Sequence, residues 1–517
     1  MSARSSWTDF LVALSLANLN LLQAWRELLF ASSDDLYWMP LATRADYAAA
    51  LLVMLAVAVV LFLLLRLIRR LPERFFGLIF LVLVAAALVN PIDLIRRSVM
   101  GGQEVMKLTE LDSAWKIALV LLLLVPPGLA MAALISGAVR RRLAPAVYGA
   151  ALVFSAFALS NAAQAVWLAG TSTASATATP PVASEPAPGS PGRVVWIIFD
   201  EMDERELFSQ RPAGVTYPAF DHLLDEAIHF TAARPPGGDT MQAVPSLWLG
   251  RAVERSRPTG PAELSVRFEG ESEPTAHPLH QLPTIFSKAK ARGARIAMIG
   301  WYHPYCRLFA KLLDHCEQTH LYTTRPDQSH GLGDALGRMA NSLHVFWRWT
   351  NKDFTYRRML TAATAAVRDP RFDFVAIHLP VPHRPYNYDS ARDRLTWFGV
   401  GLDYHDALAL ADRFLATMRA EMIGAGLWDR TALVVSADHG RRATGSEATD
   451  RAAAGVLPLI VRTPGQRTPY RVTHPVPGEI QHDIVLALLE RRNWGERELA
   501  CFAEGARAPS GEPAPGC

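Results

Sequence analysis

The sequence contains few cysteines and no large excess of charge of either sign. Its 517 residues include only four cysteines, and no two of them form a C-x-x-C pair, so a structural zinc knuckle is not indicated. The formal net charge of +3 lacks the basic excess of nucleic-acid binders, so we expect no nucleic-acid partner. The sequence also lacks a short apolar core followed by a small-residue cleavage site, so a cleavable signal peptide is not predicted.

Long apolar runs are abundant in the first third of the chain. Half of all residues are hydrophobic, and several runs are long enough to cross the roughly 30 Å hydrocarbon core of a bilayer. The candidate spans are 46–67, 75–95, 115–138, 145–168 and the more polar 8–30. The last of these carries Asn18, Asn20, Gln23 and Arg26, so an amphipathic helix lying on the membrane surface is the alternative there.

Arginine clusters between the apolar runs predict how the chain is oriented in the membrane. The two clusters are Arg66-Arg69-Arg70-Arg74 and Arg140-Arg141-Arg142. The positive-inside rule places both in the cytoplasm. With five spans, or with four and the first segment on the surface, everything after about residue 169 lies on the opposite side. We therefore expect a multi-pass inner-membrane protein, with a transmembrane domain at 1–169 and a periplasmic remainder.

The remainder divides into a linker, a soluble domain and a tail. Residues 170–192 are rich in Thr, Ala, Ser and Pro, a composition that cannot bury a core and is typical of an extended linker. A soluble domain is predicted at 193–500 and a C-terminal tail at 501–517. An extracytoplasmic domain tolerates disulfides, and among the three connectivities of four cysteines the candidate local pairs are Cys306 with Cys316 and Cys501 with Cys517.

Two apolar runs end in groups that can bind a metal. The run 194–199 has no polar alternation, which predicts a buried strand, and Asp200 and Glu201 follow it directly. Open α/β sheets bind their ligands at this carboxyl edge. The alternative is that two acids directly after a strand belong only to a turn or a helix cap. A second such edge, Val434-Val435-Ser436-Ala437-Asp438-His439-Gly440, favours the functional interpretation.

Thr240 lies where a helix is predicted to begin. A turn-rich segment at 231–240 leads into an apolar stretch starting at Met241, with Pro245 predicted in the first helical turn. Free backbone N–H groups and the helix dipole at such an N-terminus favour an anion and help to stabilise an alkoxide. The alternative is that Thr240 is only the N-cap of the helix.

The rest of the soluble domain alternates between predicted strands and helices. Further strands are predicted at 295–299, 372–377, 431–435 and 456–461, and helices at 203–208, 217–229, 282–293 and 402–422. This alternation predicts a largely parallel sheet covered on both faces. The first two of these strands lead to histidines, His303 after one and His378 and His383 after the other, together with Arg384.

The groups delivered to strand edges predict a cation site. They are Asp200, Glu201, His303, His378, His383, Asp438 and His439. Carboxylate oxygens and imidazole nitrogens are ligands for Zn²⁺ or Mn²⁺, and several acids in one pocket require a counter-charge. A metal beside Thr240 would lower the pKa of its hydroxyl and make it a usable nucleophile.

Residues 193–490 resemble the alkaline phosphatase superfamily, in the branch shared by sulfatases, lipoteichoic acid synthases and phosphoethanolamine transferases. The resemblance implies a three-layer α/β/α domain behind the transmembrane helices. The motifs that carry it are Phe199-Asp200-Glu201, Thr240 with Val244-Pro245, His378-Leu379-Pro380-Val381-Pro382-His383-Arg384-Pro385-Tyr386, Ser436-Ala437-Asp438-His439-Gly440 and Leu457-Pro458-Leu459-Ile460-Val461-Arg462-Thr463-Pro464-Gly465.

The resemblance also implies roles for individual residues. It implies that one divalent metal, Zn²⁺ with Mn²⁺ or Ca²⁺ as alternatives, is bound by Asp200, Thr240, Asp438 and His439, with Thr240 as the nucleophile. Glu201 corresponds to a second acid of sulfatases that the lipid-head-group transferases lack. The remaining implied roles concern the substrate. His383 corresponds to a residue that contacts the phosphate of the substrate, and His378 and Arg384 would bind substrate beside it. His303 corresponds to the histidine of a Lys-x-His pair in sulfatases, although Trp301 stands here at the lysine position.

Departures from the sulfatase pattern favour a transferase. Ala243 and Leu247 stand where the sulfatase motif C/S-x-P-x-R has its nucleophile and arginine, so a working sulfatase of that type is not expected. Thr240 lies five residues before Pro245, as in phosphoethanolamine transferases, which share the layout of five spans and a tethered outer domain. Arg441 stands where those transferases usually have Glu.

Three functions follow as hypotheses. The first is transfer of a phospholipid-derived phosphoethanolamine or phosphoglycerol head group to an envelope glycan or lipid, through a phosphothreonine intermediate. The second is a phosphodiesterase or other hydrolase of the same fold, and the third is a non-catalytic, degenerate domain in envelope assembly.

Overall fold

The chain forms two units, which we call the helical unit and the sheet unit. The computed structural model describes residues 6–31, 33–99, 136–171, 192–319, 331–343, 347–384, 386–396, 401–441, 455–490 and 494–505. The helical unit comprises Met1–Ser32, Leu41–Thr177 and Asp327–Arg348. The sheet unit comprises Ser33–Pro40, Ala178–Pro326 and Trp349–Cys517.

The described helices are numbered in chain order. They are α1 (Ser6–Asn20), α2 (Leu22–Leu29), α3 (Ser33–Trp38), α4 (Arg44–Ile68), α5 (Glu73–Val99), α6 (Gly137–Thr171), α7 (Pro218–Leu224), α8 (Thr240–Leu249), α9 (Ile285–Ala291), α10 (Tyr305–Leu308), α11 (Leu332–Ser342), α12 (Trp347–Arg368), α13 (Tyr404–Gly424), α14 (Ile480–Leu489) and α15 (Glu496–Gly505). A short π-helix covers Arg205–Ser209, where a helix was predicted at 203–208. Helix α15 runs across residue 501, the predicted start of the tail.

The described strands are numbered in the same way. They are β1 (Arg193–Asp200), β2 (Ile228–Arg234), β3 (Val253–Gly260), β4 (Glu263–Phe268), β5 (His277–Pro278), β6 (Ile296–Trp301), β7 (His315–Thr319), β8 (Phe374–Pro382), β9 (Tyr388–Asp389), β10 (Arg394–Leu395), β11 (Thr431–Ala437), β12 (Leu457–Arg462), β13 (Tyr470–Val472) and β14 (Val476–Pro477).

Three helices of the described residues are long and apolar enough to cross a membrane. They are α4, residues Phe75–Ile92 within α5, and α6. They coincide with the predicted spans 46–67, 75–95 and 145–168. The predicted span 115–138 lies outside the described residues, apart from its last three. The predicted span 8–30 is not one helix, because the chain breaks at Leu21 into α1 and α2, and neither has the length of a span.

Polar groups of α1 are paired inside the helical unit. The fully buried carboxylate of Asp9 accepts from Arg69 Nε at 2.7 and 2.9 Å and from the Tyr148 hydroxyl at 2.6 Å. The Asn161 amide donates to Asn18 Oδ1 at 3.1 Å. Buried polar groups are stable only when they are bonded in this way. These polar side chains of segment 8–30 therefore bond to other helices of the unit.

The sheet unit is organised around a nine-stranded sheet with β1 near its centre. The strand order is β13-β2-β12-β11-β1-β8-β6-β7, with β14 paired to β2. Strands β11, β1, β8, β6 and β7 are parallel to one another, whereas β12 is antiparallel to both β11 and β2. Every residue of β1 is buried, as expected for a central strand covered on both faces. The mixed α/β architecture with a largely parallel sheet is thus confirmed.

Two predicted ends, one of a helix and one of a strand, differ by five residues from the ends in the structure. The helix predicted at 217–229 ends at Leu224, and Ile228 begins β2, because this segment pairs with both β12 and β13. The strand predicted at 372–377 continues through Pro382 as β8. Continued parallel pairing with β1, which sets His378 opposite Ile198, extends it. His378 is therefore part of the strand and does not lie in a loop after it.

Disulfide bonding agrees with one predicted pair. Cys306 and Cys316 are joined, which ties α10 to β7. Cys501 is disulfide-bonded as well. Its predicted partner, Cys517, lies outside the described residues.

Candidate metal and nucleophile site

Three buried side chains converge at the carboxyl edge of the central strands. Asp200 ends β1, and Asp438 and His439 follow β11; all three are at most 1% exposed. One ligand atom from each lies within 4.8 Å of the others. His439 Nε2 is 3.8 Å from Asp200 Oδ1 and 3.7 Å from Asp438 Oδ2. The parallel pairing of Phe199 with Ala437 brings these groups together.

Backbone groups fix the orientation of the cluster. Asp438 Oδ1 accepts from the backbone N–H of His439 at 2.7 Å and of Glu201 at 3.2 Å. His439 Nδ1 lies 3.0 Å from the Gly440 carbonyl oxygen. Because a carbonyl can only accept, Nδ1 carries the ring proton. In this tautomer of the neutral ring, the lone pair of Nε2 faces the two carboxylates.

These residues fit a divalent cation. Asp438 Oδ2 is buried and has no hydrogen-bond donor among the described residues. Burying two carboxylates in one pocket is costly unless a positive charge compensates them. Two carboxylate oxygens and one imidazole nitrogen form a donor set that suits Zn²⁺ and related ions. The cluster therefore has the chemistry of a metal site.

The Thr240 hydroxyl adjoins this cluster. Its Oγ1 atom lies 3.5 Å from His439 Nε2, and the residue is 5% exposed. Thr240 is the first residue of α8, while the cap is Asp239, whose side chain accepts from Gln242 N at 2.9 Å. The alternative that Thr240 serves only as an N-cap is thus not what the structure shows. Its hydroxyl is left beside the metal-type ligands.

Pro245 and Gly237 shape the chain around Thr240. Pro245 is the sixth residue of α8, so it lies in the second turn and not in the first as predicted. Because it has no N–H, the carbonyl of Met241 accepts instead from the Ser256 hydroxyl. Gly237 packs so closely that a Cβ there would lie 2.5 Å from the backbone nitrogen of Ala243. Only glycine fits at this approach to the helix.

His378 and His303 form a buried layer behind the cluster. His378 Nε2 lies 4.0 Å from Asp438 Oδ2, and its Nδ1 is hydrogen-bonded to the Tyr305 hydroxyl at 2.8 Å. His303 Nε2 donates to the backbone oxygen of Thr240 at 3.3 Å. Burial lowers the pKa of His378 to about 4. Burial, with a smaller effect of His378, lowers the pKa of His303 to about 3. Both rings are therefore neutral near pH 7.

His383 and Arg384 lie after β8 and are more exposed than His378 and His303. The His383 backbone N–H donates to the Asp200 carbonyl at 3.1 Å, and its Nδ1 donates to Arg384 O at 2.5 Å. Its ring packs against Trp301 with centroids 5.8 Å apart. The exposed Arg384 donates to the Tyr386 hydroxyl at 3.1 Å. Both residues thus follow β8 at the edge of the sheet where Asp200 lies, and their side chains are more exposed than those of the buried cluster.

Glu201 does not join the carboxylate cluster. The group of metal-type ligands found among the described residues contains Asp200, Asp438 and His439 only. The chain turns at Glu201 with a left-handed φ of 65°. The backbone N–H of Glu201 donates to Asp438 Oδ1 at 3.2 Å. Its carbonyl accepts from the Tyr404 hydroxyl at 2.7 Å, which holds the turn.

Solved structures that match part of the chain include sulfatases, phosphonate monoester hydrolases and a protein of the alkaline phosphatase superfamily. A predicted sulfatase of Bacteroides fragilis is 15% identical, with a TM-score of 0.42 and coverage of 63% of this chain and 81% of the other. The phosphonate monoester hydrolase of Agrobacterium radiobacter is 12% identical, with a TM-score of 0.40 and coverage of 58% and 73%. An alkaline phosphatase superfamily protein of Vibrio parahaemolyticus is 15% identical, with a TM-score of 0.38 and coverage of 58% and 67%.

Sequence comparison adds no relative. No protein-family model and no curated protein matches the chain. At TM-scores below 0.5, the structural likenesses do not identify the reaction or substrate of this chain.

Three tyrosines near the site were not singled out from the sequence. They are Tyr37, Tyr305 and Tyr404, whose hydroxyls contact His303, His378 and the Glu201 carbonyl respectively. No local pattern marks a tyrosine as a hydrogen-bond partner of a residue far along the chain. For Tyr37, the one available signal is a pair of aromatic residues, Tyr37 and Trp38, in a polar segment between two apolar runs.

Proposed function

We propose that this protein is a membrane-anchored, divalent-metal-dependent phosphotransferase. In this proposal it moves the phospho head group of a phospholipid, of phosphoethanolamine or phosphoglycerol type, to an envelope glycan or lipid acceptor. The observation that carries it is the Thr240 hydroxyl 3.5 Å from His439 Nε2, beside the buried carboxylates of Asp200 and Asp438. A hydroxyl at a helix N-terminus beside metal-type ligands is suited to nucleophilic attack.

Asp200, Asp438 and His439, with Thr240, would hold the cation. When bound, Zn²⁺, or alternatively Mn²⁺ or Ca²⁺, would favour the alkoxide form of Thr240 and offset negative charge on the phosphoryl oxygens. The backbone bonds to Asp438 and the Gly440 contact of His439 hold these ligands in place before any ion arrives. Such preorganisation is a main source of catalytic power in polar sites.

The reaction would proceed in two displacements with Thr240 as the carrier. In the first, a bond forms between Thr240 Oγ1 and the phosphorus of the lipid, while the bond from phosphorus to the glycerol oxygen breaks. Diacylglycerol leaves with the proton that Thr240 has lost. In the second, a bond forms between a hydroxyl oxygen of the acceptor and this phosphorus, while the bond from phosphorus to Thr240 Oγ1 breaks. The proton of the acceptor hydroxyl goes to Thr240. His383 and Arg384 would bind and orient the phosphate, and the buried His378 and His303 would support the site from behind.

Membrane anchoring suits a donor that stays in the bilayer. The three long apolar helices indicate membrane association. The arginine clusters support an inner-membrane location with the sheet unit on the periplasmic side. An enzyme held at the bilayer meets a lipid donor at high local concentration, so no soluble carrier is required.

Transfer and hydrolysis can be separated with a labelled donor. The full-length protein in membranes is given phospholipid labelled in the head group, together with envelope glycan and lipid extracts. The proposal predicts label first on Thr240 and then on an acceptor molecule. Release of free head group alone would support the hydrolase instead and contradict transfer.

A matched pair of threonine variants completes the test. Thr240→Val keeps the shape of the side chain but removes the nucleophile, so it should abolish both labelling steps. Thr417→Val, at a partly exposed position on α13, should leave both unchanged. A fully active Thr240→Val protein would rule out the nucleophile assignment.

A further inference from the structure

The sheet unit contains a short segment from the N-terminal part of the chain. Residues Ser33–Pro40 belong to it, although the residues on both sides belong to the helical unit. Helix α3 makes up most of this segment. The segment therefore brings side chains from the predicted membrane region into the unit that carries Thr240.

Arg307 holds the backbone of this segment. Its two terminal guanidinium nitrogens donate to the carbonyls of Leu36, at 3.0 Å, and Tyr37, at 2.9 Å. Arg307 is in α10, directly after Cys306, which is disulfide-bonded to Cys316. Hydrogen bonds from a charged donor are stronger than those between neutral groups, and the helix that carries this donor is tethered by the disulfide. The segment is thus fixed in a defined position.

The fixed position places Tyr37 against His303. Tyr37 is fully buried, and its hydroxyl lies 2.7 Å from His303 Nδ1, across 266 residues of sequence. The neighbouring Trp38 packs edge-on against Tyr302, with ring centroids 5.0 Å apart. The contact is therefore part of a packed aromatic layer.

The direction of the hydrogen bonds follows from the acceptor at one end. The Thr240 carbonyl oxygen can only accept, so His303 Nε2 carries the proton that reaches it at 3.3 Å. In a neutral ring Nδ1 is then an acceptor, and Tyr37 must donate its hydroxyl proton to it. The chain of bonds runs from Tyr37 through His303 to Thr240, and every donor has an acceptor.

His303 contacts α8 at more than one point. Besides the Thr240 carbonyl in the first turn, its ring packs against Trp248 near the end of the helix, with centroids 4.9 Å apart. The orientation of this ring thus bears on where α8 begins and on the position of the Thr240 hydroxyl. Displacement of a reacting group by about 1 Å can cost about a hundredfold in rate.

We propose that Tyr37 is a positioning residue for the nucleophile, acting through His303 on the first turn of α8. The sheet unit then has a complete site only when residues 33–40 are part of it. The catalytic consequence rests on the proposed function, whereas the effect on α8 does not.

The test uses the full-length protein in detergent and two variants that weaken the link in different ways. Tyr37→Phe removes only the hydroxyl, and Arg307→Gln loosens the backbone of the segment. Tyr356→Phe is the matched control, a buried tyrosine on α12 that is not hydrogen-bonded to His303. Hydrogen–deuterium exchange of the peptide covering α8 reports positioning directly. The rate of Thr240 labelling by the lipid donor reports its consequence.

We expect faster exchange in α8 for both test variants and not for the control. For Tyr37→Phe, kcat should fall by about ten- to a hundredfold, with KM for the donor changed by less than about twofold. Unchanged exchange in α8 would overturn the proposal, and so would faster exchange with unchanged kcat. If the lipid donor does not label Thr240 even in the wild type, the proposed function has failed. The comparison of hydrogen–deuterium exchange in α8 then decides the role of Tyr37 alone.

Discussion

His439 Nε2 lies 3.5 Å from Thr240 Oγ1, although 199 residues separate the two along the chain. His439 reaches this point from the end of β11, and Thr240 from the start of α8. The proton on His439 Nδ1 is donated to the Gly440 carbonyl, so Nε2 faces Thr240 with its lone pair. A potential nucleophile and a metal-type ligand thus meet at one edge of the sheet.

Removing the divalent cation should lower the thermal stability of the full-length protein. Asp200 and Asp438 are fully buried, and without a cation their charges repel in a poorly solvated pocket. A metal at about 100 times its Kd stabilises a protein by about 2.7 kcal/mol. Unfolding followed by tryptophan fluorescence, before and after chelation and after adding Zn²⁺, measures the effect.

Substitutions of two aspartates, one in the cluster and one exposed, provide the test and the control for the metal prediction. Asp438→Asn should remove the response to the chelator, whereas Asp225→Asn, whose side chain is 81% exposed, should keep it. An unchanged Tm of the wild type on chelation would contradict a metal at this cluster.

Glu201 and Asp200 should behave differently when neutralised. Asp200 contributes a carboxylate to the ligand cluster, whereas Glu201 contributes a backbone N–H that glutamine also provides. We expect Asp200→Asn to lower zinc affinity by about a hundredfold or more, and Glu201→Gln by less than about threefold. Zinc titration of the purified proteins measures both. Equal losses in the two variants would place Glu201 among the ligands, as in the sulfatase pattern.

Asp412 should make stability depend on pH between about 4 and 6. Burial raises its pKa to about 6, although its carboxylate accepts from Phe220 N at 2.9 Å. The folded state therefore binds this proton more tightly than the unfolded state. The resulting stabilisation is present below about pH 4 and is lost as the pH rises through about 6.

Asp412→Asn removes this titration and keeps a hydrogen-bond acceptor. It should flatten the dependence of the unfolding free energy on pH in this range and stabilise the protein at pH 7 by up to about 3 kcal/mol. Denaturant unfolding at pH 5 and pH 7 measures the difference. The same change between the two pH values in wild type and variant would contradict the assignment to Asp412.

The strand edges of the site could be predicted because their pattern is local. An unbroken apolar run followed by acids places Asp200 at the edge of a central strand, and the run before Asp438 and His439 repeats the pattern. The structure brings these groups together because β1 and β11 pair in parallel and end at the same level. Resemblance to a known superfamily connected Thr240 to them across the sequence.

Other features depend on tertiary contacts that no local pattern reveals. Ile228 begins a strand because β12 and β13 flank it, and pairing with β1 keeps His378 within β8. The turn at Glu201 has a positive φ, and the Tyr404 hydroxyl donates to its carbonyl. The contact of Tyr37 with His303 joins residues 266 apart.

The measurement that tests the central claim most directly is mass spectrometry of the Thr240 peptide after the protein has been mixed with the lipid donor and no acceptor. Without an acceptor the second displacement cannot occur, so Thr240 that carries the phospho head group should accumulate. We predict a phospho head group on Thr240 in the wild type and none in Thr240→Val. Turnover of the donor by Thr240→Val at the wild-type rate, or a head group attached to a different residue, would contradict the account.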